Sequence, residues 1–323
     1  MRISRIGLAI GAAGILLLAS GSLAVTYAAA ANATQGLSAR VSAPPAGFNP
    51  LTASAAALKA YGFPPRPTSA SALAAWTQAM EHAKTYVAPS PVWAPAWVSP
   101  EIQPATETGT CSTNWAGYMD QSANNGGVAY TQTSADWVIA AVPALGGSPV
   151  PAAAFWTGIG GWGPSGSNVI DQAGTVSIAN SPTPSYRMWV EDYPNPPQYV
   201  GPVISPGNTV YVSVYYEGNG QTEYYLENES TGKYTPWPAS TPYYDGSSAD
   251  YINEMPNGPG TLPDFGSVPF TYAQLTGGNT DGPFADFNYT KITMYSGSNC
   301  TGSVLSQPSA VGSDNESFTE TWH

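Results

Sequence analysis

From residue 111 onward, apolar and polar side chains alternate at a spacing of two. Val210, Val212 and Val214 alternate with Tyr211, Ser213 and Tyr215, and Tyr186, Met188 and Val190 with Arg187, Trp189 and Glu191. Successive side chains of an extended strand point to opposite faces, so each set marks one face of a strand. Residues 155–174 (FWTGIGGWGPSGSNVIDQAG) read as strand, glycine-rich loop, strand, with Ile170, Gln172 and Gly174 on one face and Val169, Asp171 and Ala173 on the other. Residues 249–254 read as a short strand on which Asp250, Ile252 and Glu254 share a face. Residues 229–233 (ESTGK) read as a hairpin turn, and residues 284–295 and 317–322 as late strands. Many short strands separated by turns predict an all-β, antiparallel β-sandwich or jelly roll.

The first hundred residues follow another period. Leu73, Trp76, Met80 and Val87 recur at helical spacing behind Ser69 and Ser71 as candidate caps. A shorter helix over residues 55–61 stops at Gly62, with Pro64 and Pro65 beyond, and APSPVWAPAWVSPEIQP then reads as proline-punctuated extended chain. Ahead of these, Arg2 and Arg5, the apolar run 7–25 and Ala31-Asn32-Ala33 have the layout of an export signal. The run is long enough to anchor in a bilayer; its small-residue end favours cleavage, which leaves no membrane partner. The chain thus divides into a signal (1–33), a helical pro-segment with a Pro-rich linker (34–109) and a secreted body (110–323).

Composition sharpens this division. Charged residues make up 9% of the chain and Gly and Pro number 34 and 31, the profile of a turn-rich β protein. The formal charge of −12 argues against nucleic acid as a partner. From residue 110 onward Arg187, Lys233 and Lys291 face 18 acids, a net −15. Lys59, Arg66 and Lys84 of the preceding segment therefore predict that it masks the body electrostatically and is released when acid neutralises the carboxylates; the plainer reading is a linker without inhibitory role. Because so few of the body's acids can pair with a cation, mutual repulsion predicts a body more stable in mild acid than at neutrality, with salt recovering part of the difference. Cys111 and Cys300, the two cysteines of an exported chain, are expected to pair.

Elimination narrows the chemistry. The body's one histidine, His323, is the last residue, so neither a Ser-His-Asp nor a Cys-His site can form inside the fold, and a zinc cluster lacks ligands. Paired Asp-Thr-Gly motifs are absent, and the glycines of residues 158–166 lack the Lys-Ser/Thr ending of a phosphate loop. Lys233 sits in a turn and makes a poor base. Carboxylates and amides remain. Trp189 beside Glu191, and Asp250 with Glu254, suit the binding of a peptide or a sugar equally. A secreted glycoside hydrolase using Glu191 and Glu254 and a non-enzymatic carbohydrate-binding module both stay open on these residues alone.

Five segments, in order, resemble the glutamic endopeptidases, the eqolisin family, in the bacterial form with signal and pro-segment. They are Thr113-Asn114-Trp115-Ala116-Gly117, Phe155-Trp156-Thr157-Gly158-Ile159-Gly160, Ile170-Asp171-Gln172-Ala173-Gly174, Trp189-Val190-Glu191 and the stretch from Ala249 to Glu254. LKAYGFPPRP and ALAAWTQAMEHAKTY also resemble the pro-segment of bacterial members. The chain departs from the family at Gly160, where an acid is common, and at Asp250-Tyr251, where Glu-Trp is. The resemblance implies a concanavalin-like sandwich with Gln172 and Glu254 as a catalytic dyad on a concave face. It implies substrate contacts from Trp156, Trp189, Glu191 and Asp250, no metal or cofactor, protein or peptide substrates, the pro-segment as inhibitor, and a monomer. In this scheme Glu254 activates water and later protonates the leaving amine, while Gln172 stabilises the oxyanion.

Overall fold

Each period-two stretch of the body forms a strand. In the computed structural model, residues 41–94, 111–162, 169–258 and 260–323 are described. The expected signal, the end of the linker with its boundary at 109/110, and the middle of the glycine-rich loop lie outside the described residues. In chain order the elements are α1 (Ala55–Ala60), α2 (Ala70–His82), β1 (Thr85–Tyr86), β2 (Val92–Trp93), β3 (Cys111–Ser112), β4 (Trp115–Gln121), β5 (Tyr130–Val138), β6 (Ala152–Gly160), β7 (Ile170–Ile178) and β8 (Ser185–Tyr193). They continue with β9 (Gln198–Tyr199), β10 (Thr209–Gly218), β11 (Gln221–Asn228), β12 (Lys233–Ser240), β13 (Ser248–Glu254), β14 (Ser267–Gly277), β15 (Thr280–Pro283), β16 (Tyr289–Gly297), β17 (Thr301–Pro308) and β18 (Phe318–Trp322).

The strands form two antiparallel layers. The first runs β12–β11–β10–β5–β14–β18–β17–β16. The second runs β16–β4–β13–β6–β7–β8–β9. β16 therefore belongs to both and joins them. The core lies between the layers. Val210, Val212, Val214, Tyr224 and Leu226 of the first layer pack with Ala153, Phe155, Ala173, Val190 and Tyr251 of the second. Burying each large apolar side chain stabilises by about 1.5–3 kcal/mol relative to exposure. The disulfide between Cys111 and Cys300 joins the start of the body to its end, with Cα atoms 5.4 Å apart.

The alternation leaves each layer an outer face. That of the first layer carries Tyr211, Tyr225 and Tyr234, and the N-terminal segment covers it with Leu58, Phe63, Trp76, Ala79 and Met80. Ser54 and Ser69 cap the two helices, accepting from Ala57 N (3.2 Å) and Ala72 N (3.3 Å). α2 ends at His82, so Val87 is not part of its apolar stripe; it follows β1, which pairs in parallel with β12. Gly62 has φ +68°, and a Cβ there would lie 2.4 Å from Pro236 Cβ, so only glycine lets the chain turn this close to β12. β2 pairs with β9 of the second layer.

Two sequence expectations change. The late strand starts not at Phe284 but at Tyr289, because residues 284–286 form a 3-10 turn that buries Phe284. The segment's cations do not grip the body as a set. Lys59 pairs with Glu217 at 3.0 Å through a side chain 66% exposed. Arg66 instead donates to the carbonyls of Pro50, Leu51 and Ala53 and lies 5.0 Å over the Trp76 ring, and Lys84 donates to the Glu81 carbonyl. Packing of aromatic and aliphatic side chains holds the segment, assisted by Asp281, which accepts from Thr68 N (2.7 Å) and Ser69 N (2.6 Å).

Candidate active site

The outer face of the second layer gathers most of the residues the sequence singled out. Register sets them in rows across β13, β6, β7 and β8. The middle row is Ile252, Trp156, Gly174 and Trp189. On one side of it lie Asp250, Gly158, Gln172 and Glu191, and on the other Glu254 and Ala154. Two glycines make room for the large side chains. A Cβ on Gly174 would come within 2.6 Å of Trp156 Cβ, and one on Gly158 within 3.0 Å of Gln172 Cβ and 3.2 Å of Trp156 Cζ3. Trp115, Trp156, Trp189, Ile170, Val176 and Ile252 pack here as a second apolar cluster.

Within this cluster the polar groups are few and specific. Gln172 Nε2 donates to Glu191 Oε2 at 2.5 Å, an arrangement that fixes which end of the amide faces Glu191. Gln172 Oε1 is buried and has no hydrogen-bond partner among the described residues. Trp156 Nε1 donates to Glu254 Oε2 at 2.8 Å. Trp115 stands edge-on to Trp156, with ring centroids 5.2 Å apart. Its indole favours the charged form of Glu254 without closing a hydrogen bond of good geometry. Gln172, Glu191 and Glu254 are all buried, at 4%, 8% and 7% exposure.

Burial dominates the acid–base behaviour. It pushes Glu254 up to about 7, against the pull of the Trp156 and Trp115 indoles. It pushes Glu191 well above the carboxylate range; the charge of Glu254 adds to this, and the Gln172 amide opposes it. Glu191 thus senses the charge of Glu254, and Gln172 is bonded to Glu191. The structure brings these three together with Trp156.

Asp250 is set apart. It shares a face with Glu254 and a row with Gln172, but its carboxylate accepts from Ser248 Oγ at 3.1 Å and senses Asp120 and Asp245 rather than Glu254 or Glu191. Trp189 is fully buried in the cluster, opposite Gly174 on β7 and Tyr199 on β9. Gly160 leaves Trp156 undisturbed, because the indole N–H goes to Glu254. A Cβ on Gly160 would lie 3.0 Å from Asp245 Oδ1, so a carboxylate reaches this place from another part of the chain. Sequence reading missed Trp115 as a neighbour of Glu254. The available signal was the pairing of its strand with β13, which sets Trp115 directly opposite Glu254. Among the described residues, no three His, Cys, Asp or Glu side chains gather so as to hold a metal ion.

With this geometry in hand, comparison with known proteins is informative. The model of the Peptidase A4 family matches residues 113–316. Scytalido-glutamic peptidase, solved with a transition state analog inhibitor, superposes with a TM-score of 0.52 at 20% identity, covering 66% of this chain and 99% of that one. SCP-B, a member of the eqolisin family solved with the tripeptide Ala-Ile-His, gives 0.50 at 18% identity, with the same coverage of both chains. At these identities the structural likeness establishes a shared fold. No curated protein matches the chain by sequence.

Proposed function

This chain belongs to the Peptidase A4 family, and from that premise we propose that it is a secreted acid endopeptidase working with Gln172 and Glu254. Family membership makes it a peptidase and displaces the glycosidase and carbohydrate-binding readings. The observation that carries the residue assignment is the buried group formed by Glu254, Trp156, Glu191 and Gln172.

Glu254, once ionised, takes a proton from a water held between it and Gln172, and the water attacks the scissile carbonyl. An amide carries two N–H donors. One stays on Glu191 and holds the amide's orientation; the other is directed to the developing oxyanion, a contribution of about 3–4 kcal/mol for a single well-placed donor. Protonated Glu254 then delivers its proton to the leaving amine. Trp156 keeps Glu254 in place; the substrate role expected of Trp156 and Trp189 is assigned to the apolar cluster beneath this face, in which both lie buried. Asp250, expected to contact substrate, is assigned to the far end of the same face.

The intact chain supports a precursor reading. With Glu254 raised to about 7 by burial, its carboxyl holds a proton in acid and cannot serve as the base. We assign residues 34–109 as the inhibitor; their described part covers the outer face of the first layer and reaches the second where β2 pairs with β9. Export, a monomeric state and protein or peptide substrates complete the proposal.

The test is digestion of a denatured protein at acid pH with pepstatin present, comparing wild type with Glu254→Gln. Wild-type turnover and its loss in the variant support the assignment. A folded Glu254→Gln variant that digests at the wild-type rate rules it out.

A further inference from the structure

Directly behind Gln172 and Glu191, on the opposite face of the same two strands, stand Asp171 and Asp192. They are paired in register, as Gln172 and Glu191 are. Asp171 is 1% exposed, and its Oδ2 accepts from Thr222 Oγ1 of the other layer at 2.5 Å. Thr222 in turn shares a hydrogen bond with Thr241 at 2.7 Å. Asp192 Oδ2 accepts from Asn195 Nδ2 at 3.1 Å. The remaining oxygens, Asp171 Oδ1 and Asp192 Oδ1, are both buried and have no hydrogen-bond donor among the described residues. Two acceptors facing one another across a strand pair are satisfied by one proton.

Among the described residues, the titratable groups that face the pair offer no counter-charge. Glu191 and Tyr224 face the pair, and Tyr244 faces Asp171. None is a cation. The ion pairs among the described residues, Lys59 with Glu217 and His82 with Glu229, each join a cation of the N-terminal segment to an acid of the first layer's side of the body.

We infer that Asp171 and Asp192 share a single proton that clamps β7 to β8, making the orientation of the Gln172 amide conditional on acid. This rests on Gln172 being the oxyanion donor. Asp171 holds the proton on Oδ1 and donates it to Asp192, leaving Oδ2 to accept from Thr222. When the proton goes to solvent, two carboxylates face each other on adjacent strands, and like charges directly opposite are destabilising. The strain falls on the register that places Gln172 Nε2 against Glu191. Asp171 and Asp192 touch neither substrate nor reacting atoms; they are positioning residues.

Burial is the main cause that pushes Asp171 up, to about 8, and Asp192 up as well. A raised group stabilises the fold fully below its unfolded value of about 3.9, and the contribution disappears as pH rises through the folded one. The clamp therefore holds in acid, weakens as pH climbs above the unfolded value, and is lost as pH passes about 8. It gives the enzyme an upper pH limit that ionisation of Glu254 alone does not provide, since Glu254 becomes a better base as pH rises.

Asp171→Asn separates the possibilities. Its amide donates to Asp192 and accepts from Thr222 at every pH, imitating the protonated pair. Made in the full chain and activated in acid alongside wild type, it should shift the upper limb of the kcat/KM profile up by about one pH unit, the least expected of a strongly coupled carboxyl pair. It should also flatten the fall of melting temperature between mild acid and neutrality. A folded variant whose profile and melts coincide with wild type overturns the inference. If the variant does not fold, amide exchange in wild type decides. Protection of β7 and β8, corrected for intrinsic rates, should fall with rising pH more than that of β10 and β11; a uniform response overturns the clamp. Melts and exchange need no turnover, so they remain decisive even if Gln172 proves dispensable for hydrolysis.

Discussion

On the outer face of the first layer, Asp136, Glu223, Glu227 and Glu229 lie buried among Tyr211, Tyr225 and Tyr234. On the outer face of the second, Glu191 and Glu254 lie buried among Trp115, Trp156 and Trp189. Both faces hold carboxylates that burial drives upward, and neither gives them a close network of cations. They differ in their partners. On the first face Glu227 accepts from a phenol, Tyr225, and Glu229 faces His82 and Gln78 of α2. On the second, the partners are an indole N–H and an amide N–H on fixed strands. Glu254 rises only to about 7, whereas Glu223 reaches about 8. A displaced pKa alone marks both faces equally. The second face differs in that its N–H donors sit on strands of the same sheet as the carboxylates, whereas Gln78 and His82 belong to α2; donors fixed in this way favour the charged form without supplying a counter-charge.

The largest expected effect comes from removing the proposed dyad on the second face. Gln172→Ala and Glu254→Ala should each lower kcat/KM for peptide hydrolysis by at least about a hundredfold, the scale of a lost oxyanion donor or general base. Far-UV and near-UV circular dichroism should stay unchanged. Near-normal turnover by either folded variant would place the chemistry elsewhere. Glu191→Gln should be milder and should show mainly in the pH profile.

Next in size is the opposite face. Trp76 is buried and donates from Nε1 to the Pro64 carbonyl at 3.1 Å. Trp76→Ala should destabilise the seat of the N-terminal segment by about 3–5 kcal/mol. Amide exchange should rise across α1 and α2 and leave β6, β7 and β13 as they were. Equal loosening of both faces would show that the two are not independent.

A smaller effect, common to both faces, is the response to pH. Asp171, Glu223 and Glu320 are raised to about 8 and Glu254 to about 7, each with burial as the first cause. Their stabilisation is complete below the ordinary carboxylate range and is lost as pH rises through those values. Asp281 and Asp314 run the other way: lowered by hydrogen bonds that outweigh burial, they lose stabilisation as pH falls. The raised groups are more numerous, so melting temperature should decline from mild acid to neutrality. Salt should recover little, because desolvation rather than long-range repulsion is the leading cause. A large recovery in salt would restore the repulsion expected from net charge.

The smallest effect belongs to Lys59→Ala. An exposed ion pair contributes at most about 1 kcal/mol, less in salt. Urea melts of the full chain should barely distinguish it from wild type.

Much of this was legible in the sequence, for a physical reason. Alternation at period two fixes which side chains share a face, so Gln172 with Gly174 and Asp250 with Glu254 were assigned correctly before any tertiary contact was known. The order of the five motifs marked the strands of the reactive face. What could not be read were relations across layers. The sequence shows cations in one segment and acids in another, but Arg66 spends its donors on nearby carbonyls, a choice set by how residues 50–53 fold back. Asp171 reads as an ordinary inward strand residue until register sets Asp192 opposite and the other layer brings Thr222. Helical spacing carried Val87 along with α2 because periodicity alone does not show where a helix stops.

β1 and β2 have a consequence for solubility. Each adds a strand to the end of a layer, β1 on β12 and β2 on β9. Cleavage that removes them would leave rows of unpaired backbone N–H and C=O groups, the template on which β proteins aggregate. The two newly bared strands are poor templates. β12 opens with Lys233 and carries Pro236 and Pro238, which cannot donate to a neighbour, and β9 is only two residues long. Were the N-terminal segment cleaved away as proposed, the body would offer its copies little surface on which to assemble.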